Sequence, residues 1–526
     1  MNRGTTCTLT EEIKVLSGTV LDLSSVGSDT TVEMAIITGD SSFPLFWVLG
    51  QLTVSELILE NGYAPNGGCI YGEQATPTVV SRIHLIGSIV RGCVAEDYGG
   101  AVLLANGAVL VLEGSTVTSN TATKGGGGVF AFLGGKVVVN GGTISYLSNN
   151  QANAGGGIYL ENEGTLLGVS GTNTQLLVES NTAQKCGGGV FGGDAAVMDV
   201  SSGAQMKIKN NAVMTSELGG GGMYLENEGI LDVSGTNTQL LVEGNTAGKL
   251  AGGVFVLKAA IVTLSSGAQM DIKNNVAERS GGGMYFQDEG TRCDVMGSGT
   301  TMTVEGNTAT VKAGGIFAGG AATVGVSSGA QMNVISNVAS FVTSVVGNSG
   351  GGIFVQNEGT LFYVTGTRTQ LLLKNNTAKF SGGGVGAASA AIVSVSSGAR
   401  MDVINNVATT NGGGGMTLRD EGTRFDVTGR DTQLLVKGNT AETHGGGISI
   451  LGGAVFAATS PSVFQDNTAA TGHGGGIAYD NNGGKQDGGA ACTRITLEVF
   501  IEGSTSAKRA TCCCADDDED PDNDCM

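Results

Sequence analysis

An asparagine returns along this chain at a nearly constant interval. It stands at Asn120, Asn150, Asn181, Asn211, Asn245, Asn275, Asn307, Asn337, Asn376, Asn406, Asn439 and Asn467. The steps are 30, 31, 30, 34, 30, 32, 30, 39, 30, 33 and 28 residues. Each Asn follows an apolar residue and two spacers. After it come a small turn, a run of Gly and another apolar residue. A period near 30 held this closely marks a stacked-repeat architecture. Each repeat then buries its apolar face only against its neighbours, so a chain of 526 residues needs no separate globular cores.

Two versions of the unit alternate, giving a longer period near 62. One reads Gly-Gly-Gly-Ile-Tyr-Leu-Glu-Asn-Glu-Gly from Gly155 and closes on Asn181; it returns almost verbatim from Gly220 to Asn245. The other carries Ser-Ser-Gly-Ala-Gln-Met or a near copy, at Ser201, Ser265, Ser327 and Ser396. Each unit holds three short runs rich in Val, Ile, Leu, Met and Tyr, separated by Gly-rich or Ser/Asn-rich turns. That is strand punctuation. Alternation within a run predicts Met270, Ile272 and Asn274 on one face and Asp271 and Lys273 on the other. No stretch has a helical period with caps. The chain is therefore expected to be all-β, one parallel β-solenoid of about 14 coils with three strands per coil. Coils stack at ~4.8 Å. An Asn repeated at one corner can bond the Asn above and below and satisfy turn backbone groups that burial would strand. Gly supplies the positive φ or close approach that a sharp corner needs.

The variable spacing falls between the Asn and the Gly run, at residues 214–218 in one coil and 341–348 in another. Insertions kept to one corner leave the strands undisturbed and gather the long loops on one side, where repeat proteins tend to bind.

Composition removes some functions. The formal net charge is −20, and residues 516–524 hold seven acids and no base, which leaves the body near −13. Such a chain is repelled by phosphate backbones, so nucleic-acid binding is not expected. No secretory signal and no segment long enough to span a bilayer is expected, the densest apolar run being Phe43 to Leu49. The ten Cys include no CxxC pair, which argues against zinc; those spread through the body read as small buried hydrophobes.

Val-x-x-Asn at Val178 and Val242, Phe-x-x-Asn at Phe464, Gly-Gly-Gly-Ile at Gly155 and Gly-Gly-Ala-Val at Gly99 and Gly452 resemble the paired short motifs of chlamydial polymorphic membrane proteins. Residues 57–71 look very like that family's first repeat, with Cys69 where Ala is usual. The resemblance covers roughly residues 50–480. It implies a right-handed parallel β-helix, pectin-lyase-like, displayed at a cell surface or outside the cell and used for adhesion in some bacterial members. A surface glycan or protein would be the partner. The family's secreted members carry a signal peptide and a C-terminal barrel; neither pattern is read here, and Cys512-Cys-Cys-Ala-Asp-Asp-Asp-Glu-Asp520 does not read as a barrel strand.

The expected organisation is a cap and irregular first coil at 1–50, repeats at 51–503 and a disordered Cys/Asp-rich tail at 504–526. No catalytic set emerges, although the same fold class hosts polysaccharide lyases and glycoside hydrolases, and fold does not settle function. Hydrolases need two carboxylates about 5–9.5 Å apart. Glu163, Glu228, Glu289, Glu358 and Glu421 instead each precede a Gly in the same turn, on alternate coils ~10 Å apart. They form a line that solvent would bathe. With Asn162, Asn227, Asp288, Asn357 and Asp420 beside them, they are the candidate calcium contacts, and no other cofactor is expected. His84 lies in a strand-like run, whereas His444 and His473 precede Gly runs at corresponding corners. The acceptor sequence Asn375-Asn-Thr377 adjoins the ladder and is expected to stay unmodified.

Overall fold

The computed structural model describes residues 1–26, 33–76, 78–215, 217–340, 350–472, 474–480, 497–499 and 508–510. They fall into two compact units, residues 1–276 and 277–526, each taken by itself below.

In the first unit one coil shows the plan. Strand a is Ile158–Glu161, strand b Leu166–Ser170, strand c Gln175–Glu179 and strand d Thr182–Cys186. The next coil repeats them as Val190–Gly193, Val197–Ser201, Gln205–Lys209 and Ala212–Val213. Every pairing is parallel and in register: Ile158 faces Val190, Leu166 faces Val197, Gln175 faces Gln205 and Thr182 faces Ala212. The second unit obeys the same rule, with Ile316 opposite Ile353, Thr323 opposite Leu361, Gln331 opposite Gln370 and Val338 opposite Thr377. No helix occurs among the described residues. The fold is the all-β parallel solenoid that the repeat implies.

Two details differ from the sequence reading. A fourth strand, often two residues long, joins the three expected. It forms because the residue after each ladder Asn bonds one coil back, Thr182 N–H to the Asn150 carbonyl at 2.9 Å and Ala212 N–H to the Asn181 carbonyl at 3.0 Å. Two residues carry too little alternation to be seen as a run. The other difference is Asn274, which is exposed and does not share the inner face of Met270 and Ile272. Its φ is +53°, so the chain turns there and it is Asn275 that points inward. Elsewhere alternation holds: Leu176, Val178, Met206 and Ile208 are fully buried, and the residues between them are not.

Residues before 50 also stack as coils. Thr6–Thr8 pairs parallel with Ala35–Thr38, and Ile13–Val15 with Phe46–Val48. Near the other end Leu497–Val499 and Lys508–Ala510 pair antiparallel. The rest of the expected tail lies outside the described residues.

The period of two coils has a physical cause. At the turn after strand a, one version places a buried Thr and the other a buried Ala, as in Thr165 and Ala196. Thr165 Oγ1 donates to the Glu161 carbonyl at 2.7 Å and accepts the Gly134 N–H of the preceding coil at 3.1 Å. Thr360 and Thr423 do the same in the second unit. A matching row follows strand b, where Thr369 and Thr432 accept the N–H of Gly329 and Gly398 at 2.9 Å. Hydroxyls on alternate coils thus tie the rungs in pairs. Thr165→Val should cost about 0.5–1.5 kcal/mol by removing the partner of the half-buried Gly134 N–H, measured by equilibrium denaturation.

Candidate functional site

The repeated Asn residues sit at the turn from strand c to strand d. Asn181 Nδ2 donates to Asn211 Oδ1 at 3.0 Å and to the Leu147 carbonyl one coil back at 2.9 Å. Asn181 Oδ1 accepts from both the backbone N–H (2.9 Å) and the Nδ2 (3.0 Å) of Asn150. The same exchange links Asn120 to Asn150 and Asn245 to Asn275 in the first unit, and Asn307 to Asn337 and Asn439 to Asn467 in the second. All except the half-buried Asn467 are fully buried. An amide has two donors and two acceptor lone pairs, and Asn181 spends all four inside the protein. Such a row has nothing left to offer a ligand.

The five acids lie at the turn from a to b. Glu163, Glu228, Glu289, Glu358 and Glu421 are all exposed. Their neighbours Asn162, Asn227, Asp288, Asn357 and Asp420 hold φ between +47° and +82°, the left-handed conformation that Asn and Asp tolerate best. Turn geometry therefore accounts for the residue types. No group of three or more His, Cys, Asp or Glu suited to a metal occurs among the described residues. Adding a chelator is expected to leave the melting curve unchanged; a lowered transition would restore calcium to this row.

The turn from d to a carries more. It is the corner of variable length. Met214 and Leu218 are exposed there, at 69% and 37% of their accessible surface, although apolar. The longer insertion at 341–348 and His473 lie outside the described residues. Beneath this corner runs an aromatic row on the outer side of strand a. Phe130, Tyr159, Phe191, Tyr224 and Phe255 are direct partners on consecutive coils. Their ring centroids are 5.1, 4.2, 5.3 and 5.1 Å apart in turn. Tyr285, Phe317 and Phe354 repeat the row in the second unit. The corner folds over it: a Cβ on Gly125 would lie 2.9 Å from the Tyr159 ring. At the first coils the cover thins, and Tyr71, Tyr98, Phe132 and Tyr159 keep solvent contact. Lys124 stands 5.4 Å from the Tyr98 ring and 3.0 Å from Asp97. Burial and the nearby Glu161 push the Tyr159 hydroxyl far above its ordinary pKa, so it stays protonated. Sequence reasoning missed this row. Its signal was an aromatic two places past the Gly run, as in Gly-Gly-Gly-Val-Phe and Gly-Gly-Gly-Met-Tyr.

Two smaller features complete the outer surface. On strand b, Asp199 and Asp232 face each other on adjacent rungs, ~4.8 Å apart in the sheet. The Asp232 carboxyl is pushed up first by burial and then by the Asp199 charge, while Ser234 pulls it down. A raised folded-state value means that the native protein holds this proton more tightly than the unfolded chain. Stability should therefore fall as pH rises from the ordinary carboxylate range through the raised one. Asp232→Asn should gain a few tenths to about 1 kcal/mol at pH 7 and nothing at pH 3, the gain small because both groups touch solvent. The second feature is an open recess of 680 Å³ in the second unit, lined by Ser298, Ser327, Ser328, Thr365, Thr367 and Arg368.

Among the described residues the histidines join no group of three or more potential metal ligands. His84 points out of strand b with Nε2 3.2 Å from Glu113 Oε2, and His444 is exposed. Asn375 is exposed at its corner with φ +56°, whereas the ladder residue is its buried neighbour Asn376. The acceptor side chain thus adjoins the ladder but is exposed beside it.

A family model described as a right handed beta helix region matches residues 50–247. A probable outer membrane protein, pmp20, of Chlamydia pneumoniae is 28% identical over 272 residues. That stretch is 46% of this chain and 15% of the relative's length. Two solved structures are also similar. A hyper-glycosylated TibA fragment is 12% identical with TM-score 0.20, over 79% of this chain and 99% of that one. A family 6 alginate lyase mutant, AlyGC, is 8% identical with TM-score 0.16, over 91% and 98%. Scores this low say nothing about function here.

Proposed function

We propose that this right-handed β-helix, with repeats of the polymorphic outer membrane protein type, is a non-enzymatic scaffold that works at a cell surface or outside the cell. It holds the corner between strands d and a toward a glycan or protein ligand. The observation that supports it is the gathering at one corner of exposed Met214 and Leu218, Lys124 and half-buried aromatics over a rigid stack. The buried Cys69–Cys93 disulfide supports an oxidising compartment. Purified protein would be tested on cultured cells and on an array of surface glycans, beside the variant Met214→Ser/Leu218→Ser and the variant Lys124→Glu. Saturable binding weakened at least tenfold by either variant supports the reading. Binding unchanged by both, or none to any probe, removes it.

An enzyme reading would draw on Asp199 and Asp232, partners across adjacent rungs of strand b. Turnover of an acidic polysaccharide that Asp199→Asn abolishes would establish it in place of the first.

A further inference from the structure

The asparagine row does not begin at the first coil, and what precedes it is covalent. The turn position that holds Asn120 and Asn150 is occupied one coil earlier by Cys93. Its N–H donates to Asn120 Oδ1 at 3.0 Å, as the Asn120 N–H donates to Asn150 Oδ1 at 3.1 Å. One coil earlier again the position is Gly62, whose carbonyl accepts the Val94 N–H as the Cys93 carbonyl accepts that of Thr121. No Asn can stand at 62: a Cβ there would lie 2.3 Å from the Gly68 carbonyl and 2.9 Å from Cys69 Sγ. Cys69 in turn is the counterpart of Ala101, since Ile70 pairs with Val102 and the Cys69 N–H bonds the Ala101 carbonyl. Ala101 and Asn120 hold the two equivalent positions in the next coil, where this coil joins Cys69 to Cys93. Both cysteines are fully buried.

We infer that the Cys69–Cys93 disulfide is a substitute for the ladder amide: within one coil it joins the turn before strand a to the turn before strand d, at the edge of the array where the side-chain amides end. A buried bond of this kind is a lock set during folding, not a surface switch. It forms when the two thiols exchange with a disulfide donor. The donor's S–S bond breaks, one new S–S bond forms, and two donor thiols leave with the two protons and two electrons.

The test uses the full chain and three proteins: wild type, Cys69→Ser/Cys93→Ser, and Cys69→Ala/Cys93→Asn, which installs the pair found one coil on. Alkylation and mass spectrometry should find Cys69 and Cys93 blocked in the wild type. In the Ser pair, hydrogen exchange in Phe46–Val48, Leu57–Glu60 and Ile70–Glu73 should rise ~100-fold, with Gln175–Glu179 unchanged. The Ala/Asn pair should regain most of that protection with no disulfide at all. Reactive thiols at 69 and 93 in the wild type overturn the inference. So does a Ser pair protected like wild type, or an Ala/Asn pair no better than the Ser pair.

Discussion

Asn211→Ala is expected to destabilise the first unit by roughly 2–6 kcal/mol, because it strands two buried donors at once. The Asn181 N–H and the Asn181 Nδ2 both end on Asn211 Oδ1, at 2.9 and 3.0 Å. The Val178 carbonyl loses its amide partner as well. No water can replace the lost groups at a site with no accessible surface. Asn211→Asp keeps the acceptor but cannot donate, and it buries a charge, so it should be no milder. Asn467 is the internal control. It is half-buried, and Asn467→Ala should cost clearly less because solvent already touches this position and water can take the place of the lost acceptor beside the Asn439 amide. Unfolding of a stacked array need not be two-state. Hydrogen exchange at residues 175–186 and 205–213 is therefore the sharper measurement. Protection equal to wild type in Asn211→Ala would mean that the amide row is not what holds these corners.

Gly188→Ala should be still harder to accommodate, with a cost of about 3 kcal/mol or more, or failure to accumulate as folded protein. A methyl group there would meet the Gly221 oxygen at 2.3 Å and the Ala212 oxygen at 2.7 Å. Both are backbone atoms, Gly221 of the next coil and Ala212 across the same coil's corner, so relief requires the rung to part and the corner to open. Gly18→Ala provides the contrast. Its φ is +77° but nothing lies within 4 Å of the added carbon. That change should cost only about 1 kcal/mol, the strain of the left-handed backbone alone. Thermal melts of the two variants separate the reasons. If they shift alike, close stacking is not why the Gly run is there.

The period, the parallel stacking and the inner apolar faces of strands b and c were legible because each rests on spacing. A step near 30 residues puts Leu176 over Met206 and Val178 over Ile208, whatever the corners do. The corners themselves were not legible. Whether Asn274 or Asn275 turns inward is decided by one left-handed residue, and periodicity carries no sign of φ. The brevity of strand d, the aromatic row under the d-to-a corner and the exposure of Asn375 all follow from such turns. The acids before Gly lie exposed in the a-to-b turns, whereas Asp199 and Asp232, partners across adjacent rungs, lie on strand b and belong to different versions of the repeat.

From the order of residues alone came a coil that returns, an amide that returns with it, and an acidic body. Those are properties of composition and distance along the chain. Folding alone decided which side chains became neighbours across coils: Cys69 with Cys93, Asp199 with Asp232, Thr165 with the Gly134 N–H. The reason is that a repeat fixes how far apart residues stack, whereas the handedness of each turn fixes which way they face, and only facing groups can bond or repel.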